Sequence, residues 1–403
     1  MSTALPQAAP GTYTGGMAAP SRRVPVLALA AFASVTQSFV FAGLLGEMAA
    51  DLSVSVPAAG QLASVYALAF ALSAPFVAAL AARLPRRGVI AFGLALLGAI
   101  NLLLMFSGSY EALMAWRVLA GVASGAVVPT ALAAATMLAP PEQRGRAIAT
   151  VMAGTTLAFL LGIPLGSVVG EAFGWRASFG FAGLLALAVA AAILRVLPRL
   201  PGEAGGSAGG LRILARPGVP ATLLSTLLGF TAIFSVAAYI GPAVEAVAGF
   251  SPTGVALMQA LVGVASLLGI PLGAKLADSG RVGLALLLPL GVAAGHLGQA
   301  WLLWAMADGS LPAIVLQGGF ILLTAASMFA LSPVISARLV LLAPEARSVV
   351  LAANSSALFL GQAAGAAAGG AAILLVGLPG IGLAGAAAAF GCFALLLRIA
   401  RRG

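Results

Sequence analysis

Charge is what this sequence has least of: only 7% of its 403 residues are Asp, Glu, Lys or Arg, against about 25% in an ordinary soluble domain. Water therefore cannot be the main solvent of the folded chain. A single cysteine, Cys392, excludes an internal disulfide and any site built on several thiolates. With a single histidine, His296, no H-E-x-x-H zinc site can form, and no G-x-x-x-x-G-K-S/T loop is present to cradle nucleotide phosphates. All ten acids fall in loops or near the ends of apolar runs, so paired carboxylates at depth are lacking too. These absences argue against an enzyme, a resident metal and an organic cofactor.

What is present is apolar: 62% of residues are hydrophobic, in runs that recur along nearly the whole chain. A hydrocarbon layer roughly 30 Å thick needs about 20 such residues in a helix. Barrel strands would instead read as alternating segments of about 10 residues, so the pattern predicts helices. Twelve spans are expected near 24–46, 58–82, 89–107, 112–138, 147–170, 177–197, 217–245, 253–276, 282–306, 311–337, 348–375 and 381–398. The formal charge of +10 would suit nucleic acid, but no basic run is interleaved with aromatics. Alternate loops hold eighteen of the twenty basic residues, among them Arg83, Arg86, Arg87, Arg144, Arg146, Arg338 and Arg347. The opposite loops hold only Arg176, alongside Glu47, Asp51, Glu111, Glu171, Glu245 and Asp308, and Arg117 alone falls inside a span. The positive-inside rule then puts both termini in the cytoplasm. Arginine's nineteen-to-one excess over lysine suggests a GC-rich bacterial genome, hence a bacterial inner membrane.

Residues 1–21 carry no charge and read as a disordered cytoplasmic tail rather than a signal peptide. Residues 198–216, rich in glycine, read as a cytoplasmic linker between six-helix bundles at 22–197 and 217–403. The halves repeat. Pro141, Glu142 and Arg144 recur as Pro344, Glu345 and Arg347 at an offset of 203, as do Gly162 and Gly166 in Gly365 and Gly369; Leu80 recurs as Leu276 at an offset of 196. Six-helix repeats of equal orientation predict two bundles related by a pseudo-two-fold along the membrane normal, with a site between them at mid-depth.

Several motifs carry chemistry. The loop Ala78-Ala-Leu-Ala-Ala-Arg83-Leu-Pro-Arg86-Arg87-Gly resembles the signature loop of the major facilitator superfamily, roughly G-x-L-a-D-R-x-G-R-R/K, with Ala82 and Pro85 as departures; the second half keeps the acid as Asp278. In that family the acid latches cytoplasmic helix ends; the competing reading of Arg83, Arg86 and Arg87 is topology alone. Arg117-Val-Leu-Ala-Gly121-Val-Ala-Ser-Gly125 resembles the R-x-x-x-G-x-x-x-G element of the drug:proton antiporter branch. The resemblance assigns Arg117 to proton movement or to holding a carboxylate, whereas an arginine near a span end can also snorkel to the interface. Gly121 and Gly125 would let a neighbouring helix approach closely. In the fifth span Gly162, Gly166 and Gly170 share a helix face and Pro164 removes a backbone donor, so the span reads as a kinked hinge or as simple tight packing. This string is similar to the antiporter motif, and its Gly174-Trp175-Arg176-Ala-Ser-Phe179 ending to sugar-efflux-like and drug-resistance members.

The first span is similar to a family segment T-T-E-F…G-L-L-P-E-I-A-A-D-L in which Ser38 stands where the family has glutamate, leaving Glu47 and Asp51 as candidate coupling carboxylates with Arg117 as charge partner. The resemblance places Gln37, Tyr66, Tyr239, Gln259, Gln317, Asn354 and Gln362 on cavity-lining helices, where each can also serve an interhelical hydrogen bond; Ser38 is a further cavity candidate, and Phe39, Phe230 and Phe234 read as apolar cavity wall or as ordinary packing. His296 reads as structural. The resulting expectation is a monomeric secondary transporter that exports small molecules by alternating access in exchange for protons. An uncoupled facilitator or exchanger of the same fold, and a non-transporting membrane receptor, remain alternatives.

Overall fold

The computed structural model describes residues 23–202, 210–279 and 282–402. The expected tail at 1–21, Arg22, Arg281 and the centre of the 198–216 linker lie outside them. Twelve helices among the described residues are long and apolar enough to cross a membrane: α1 (Val24–Asp51), α2 (Val56–Val77), α3 (Arg86–Met105), α4 (Tyr110–Leu138), α5 (Pro141–Phe173), α6 (Trp175–Val196), α7 (Val219–Ala237), α8 (Pro252–Asp278), α9 (Gly283–Ala305), α10 (Leu311–Leu342), α11 (Val349–Val376) and α12 (Gly380–Arg401). Several starts follow from local chemistry. The hydroxyls of Ser55, Ser109 and Ser310 accept from the backbone N–H three residues on, satisfying an otherwise orphaned donor.

The repeat read from sequence is present in space. Within the first half α1 packs on α5, α2 on α4 and α3 on α6; within the second, α7 packs on α11, α8 on α10 and α9 on α12. Across the halves α2 meets α11 and α8 meets α5, the pair of contacts that a two-fold exchanging the halves interconverts. Pro75 inside the helix of α2 and Pro271 inside α8 stand at the same offset as Leu80 and Leu276. Close glycine approaches recur as well. A Cβ at Gly162, Gly166 or Gly170 would run into Thr36, Val40 and Leu44 of α1; one at Gly361, Gly365 or Gly369 would meet the carbonyls of Leu227, Thr231 and Ser235 of α7. With no hydrophobic drive between helices in lipid, such backbone proximity is what holds a bundle together.

Several spans differ from the continuous helices expected: the fourth is interrupted between Ser124 and Val127 and the ninth between Ala285 and Leu287, and the breaks in two others, the first and the seventh, bear on the site. The first, predicted at 24–46, runs to Asp51 but breaks: its helix ends at Phe39, a 3₁₀ turn occupies Ala42–Leu44, and a second helix covers Leu45–Asp51. The seventh, predicted at 217–245, ends at Ala237 and is followed by a separate helix, Ile240–Ala248. Both breaks sit where a helix end is covered by partners from other spans, which hydropathy alone does not register.

Candidate functional site

The break in α1 frees carbonyls that a continuous helix would use, and Arg117 of α4 takes them. Its Nη1 donates to the Gln37 carbonyl at 3.1 Å, Nη2 to Ser38 at 2.8 Å and Nε to Leu62 at 3.1 Å. The guanidinium also lies 4.4 Å from the centroid of the Tyr66 ring and 5.0 Å from that of Phe41. Arg117 is 0% exposed, which removes the snorkelling alternative. The carbonyl end of a helix is the negative end of its dipole, so a cation placed there is stabilised without a counter-ion. Glu47 and Asp51 are not its partners. Asp51 instead pairs with Arg176 at 2.6 Å and accepts from the Trp175 indole at 3.2 Å, while Glu47 is exposed at the far end of α1. The distance along α1 from the break at Phe39 to these acids is the physical reason the expected pairing fails.

Around the arginine runs a buried polar chain. Asn101 donates to the Gln37 side chain at 2.9 Å, Gln37 to the Tyr66 hydroxyl at 3.3 Å, Ser38 to the same hydroxyl at 3.1 Å, and Tyr66 to Ser124 at 2.8 Å. Ser34 closes it on Ser124 at 3.0 Å. Sequence reasoning missed Asn101, Ser34 and Ser124; the lone amide inside the third span was the available signal. Gln37, Ser38 and Tyr66 thus belong to the interior of the first bundle, with Gly121 and Gly125 pressing α4 against the backbone of α2 beside them.

A second group lines the seam between halves. Phe39 stacks on Phe234 with centroids 5.0 Å apart, Phe234 on Phe230 at 6.1 Å, and Phe70 on Phe359 at 3.6 Å; Phe159 meets Phe329 edge-on at 5.8 Å. Phe70 and Phe359 each stand twelve residues from the arginine-bearing ends of their helices, at Ala82 and Arg347, or about 18 Å along the axis. Between this depth and the acid-bearing ends the seam is bonded. Ser167 donates to the Gln259 side chain at 3.0 Å, and the Thr253 N–H donates to Glu171 at 2.5 Å. The fully buried ring of Tyr239 fills a notch that any Cβ at Gly60 or Gly370 would occupy; its hydroxyl donates to the Ala366 carbonyl at 2.8 Å and accepts from Gln61 at 3.5 Å. Gln362 is buried with an unpartnered Nε2, as is Gln259. Gln317 and Asn354 lie apart from the seam bonds, donating to Ala243 and accepting from Thr226 within the second half.

The remaining sequence candidates are at helix ends. Arg83 is exposed where the α2 helix stops, Arg86 is buried at the start of α3 with its N–H on the Leu200 carbonyl, and Arg87 is half-buried. Asp278 is exposed at the end of α8. Pro164 follows a π-helical turn, Ala158–Gly162, so the irregularity expected at the proline sits in the turn before it. Turns of this kind concentrate at functional positions. No group of three or more His, Cys, Asp or Glu side chains that could hold a metal occurs among the described residues.

Comparison with known proteins gives consistent matches. The profile described as Major Facilitator Superfamily matches residues 27–366. The inner membrane transport protein YdhP of Escherichia coli (strain K12) is 33% identical over 363 residues, covering 87% of this chain and 88% of its own. The chloramphenicol resistance protein of Streptomyces lividans is 34% identical over 258 residues, 63% of this chain and 66% of its own. Among solved structures, an inward-facing, unoccupied bacterial homologue of the human lysosomal transporter Spinster superposes with a TM-score of 0.71 at 17% identity, covering 95% of each chain. The human organic anion transporter MFSD10 superposes with a TM-score of 0.64 at 19% identity, covering 94% of this chain and 100% of its own.

Proposed function

Because this chain belongs to the major facilitator superfamily and is therefore a multi-pass membrane transporter of small molecules rather than an enzyme, we propose that it exports uncharged, aromatic or amphipathic compounds by alternating access. The observation that carries this reading is the seam. Its mid-depth wall is built from Phe39, Phe234, Phe230, Phe70 and Phe359, with the amide of Gln362 beside it and that of Gln259 toward the acid-bearing end, and none of these side chains is charged. Such a wall binds by apolar contact and orients its guest with a few amides. The relative named for chloramphenicol resistance supports a cargo of that chemistry. The alternation would be movement of 22–197 against 217–403, hinged at the glycine face of α5 and the π turn before Pro164. The state described is closed at the acid-bearing ends; with both termini in the cytoplasm of a bacterial inner membrane, that state faces inward. The chain works as a monomer on this reading, since each half supplies one wall of the path.

For coupling we infer proton antiport with Glu47 as the titrating carboxylate. Glu171 and Glu245 lie near enough to repel it, and Gly46 sits beside the Glu245 carboxylate at the seam, so protonation there favours the closed acid-bearing end and ionisation favours its opening. Asp51, engaged by Arg176, serves as a strut. One observation favours an uncoupled facilitator instead: the Arg117 charge is already balanced by three carbonyls, leaving no carboxylate to exchange with it.

Proteoliposomes separate the two. Chloramphenicol efflux or counterflow that accelerates under an imposed pH gradient, and loses that acceleration in Glu47→Gln, supports antiport; flux indifferent to the gradient supports facilitation. Specific binding with no flux in either condition would overturn transport of this compound.

A further inference from the structure

We propose that the arginine-bearing end of the second half carries a binding site for one acidic phospholipid, separate from the translocation seam. A cavity of about 180 Å³ lies between α8, α9, α10 and α12. Leu331 and Ile335, 1% and 2% exposed, form its floor, and Leu341, 80% exposed, borders its mouth, so it opens outward through an apolar rim. α9 and α12 pack on their own bundle, which sets the cavity away from the face that meets the first half.

Among the described residues, the one cation on its wall is Arg338. Its Nε is enclosed and finds no acceptor, and no carboxylate lies within salt-bridge distance of it among the described residues. An enclosed guanidinium donor without a partner is costly and marks a missing acceptor. Arg338 stands four residues before the end of α10 at Leu342, about 6 Å along the axis, the depth of lipid headgroups. An anionic phosphate at the cavity mouth supplies the missing counter-charge, in the planar geometry a guanidinium prefers. The cavity below then takes part of an acyl chain. Its size decides against a drug-like occupant, for which pockets run to about 300 Å³ or more, whereas dry aliphatic cavities of about 150 Å³ hold small apolar guests.

The delipidated protein in neutral detergent is titrated with dioleoylphosphatidylglycerol, with dioleoylphosphatidylcholine carrying the same chains, and with inorganic phosphate, reading the thermal unfolding midpoint. The acidic lipid should raise the midpoint and half-saturate at about five-fold lower concentration than the zwitterionic one, the preference expected of one Arg at an anionic surface. Arg338→Gln should erase that preference, Arg338→Lys should keep most of it, and Arg398→Gln, at an exposed neighbouring position, should leave it intact. Ala337→Phe, which fills the cavity, should weaken both lipids while leaving the protein folded. Equal response to the two lipids, a preference that survives Arg338→Gln, unaltered lipid response in Ala337→Phe, or a shift reproduced by inorganic phosphate alone each overturns the proposal. Should Arg338→Gln fail to fold, the Arg338→Lys and Ala337→Phe arms decide it.

Discussion

Three carbonyls and two aromatic faces give the Arg117 guanidinium a full set of partners without a carboxylate, so its role is to hold the broken α1 against α2 and α4. Arg117→Ala leaves the Gln37 and Ser38 carbonyls unpaired at depth and empties a large volume. Export should be lost and the thermal midpoint in detergent should fall, while the variant still inserts, because removing a charge from a span eases insertion by about 2.5–3.5 kcal/mol. Arg117→Lys should also insert and should keep part of the stability but little export, since an ammonium cannot address three acceptors in a plane. Normal export by either variant, measured as drug accumulation in cells, would remove the arginine from the mechanism.

Glycine faces set how closely elements approach. Gly162 lets the backbone of α5 lie against the Thr36 side chain of α1 and Gly166 against the side chain and carbonyl of Val40, whereas Gly145, in the same span, has open space around it. Gly162→Leu should therefore destabilise by about 1–3 kcal/mol through overpacking, with Gly145→Ala near neutral; equal midpoints for the two would refute close packing as the cause. Gly60→Ala is a sharper test, because its added carbon would displace the Tyr239 ring from the notch across the seam. The expected result is a protein that folds normally but shifts away from the closed acid-bearing end, read as increased alkylation of a cysteine placed at Ser167. Pro164→Ala should lower turnover more than it changes KM if the π turn before it is the moving part.

At the scale of the whole molecule, orientation is the testable quantity. Cys392 is fully buried and contributes little background to thiol labelling. A membrane-impermeant maleimide applied to intact cells should label Gly108→Cys and spare Arg23→Cys, with the pattern reversed in inside-out vesicles. Labelling of both positions from one side would invalidate the inward-facing assignment along with the cytoplasmic termini. The ion pair Arg216–Glu345, half-exposed on both sides, ties the start of the second half to the loop before α11 but contributes about 1 kcal/mol at most.

Span number, helical class, the basic-loop alternation and the half-to-half repeat were all legible in one dimension, because a lipid solvent demands about 20 apolar residues per crossing and punishes charge anywhere else. Arg117, Gly162 and Gly166 stood out for the same reason, as a lone charge and as small residues in a span. The helix breaks after Phe39 and Ala237, the carbonyl cradle, the role of Asn101 and the Tyr239 notch came only with the tertiary structure. Each depends on which face of a span meets which neighbour, and helix rotation about its axis is settled by packing against other spans rather than by hydropathy.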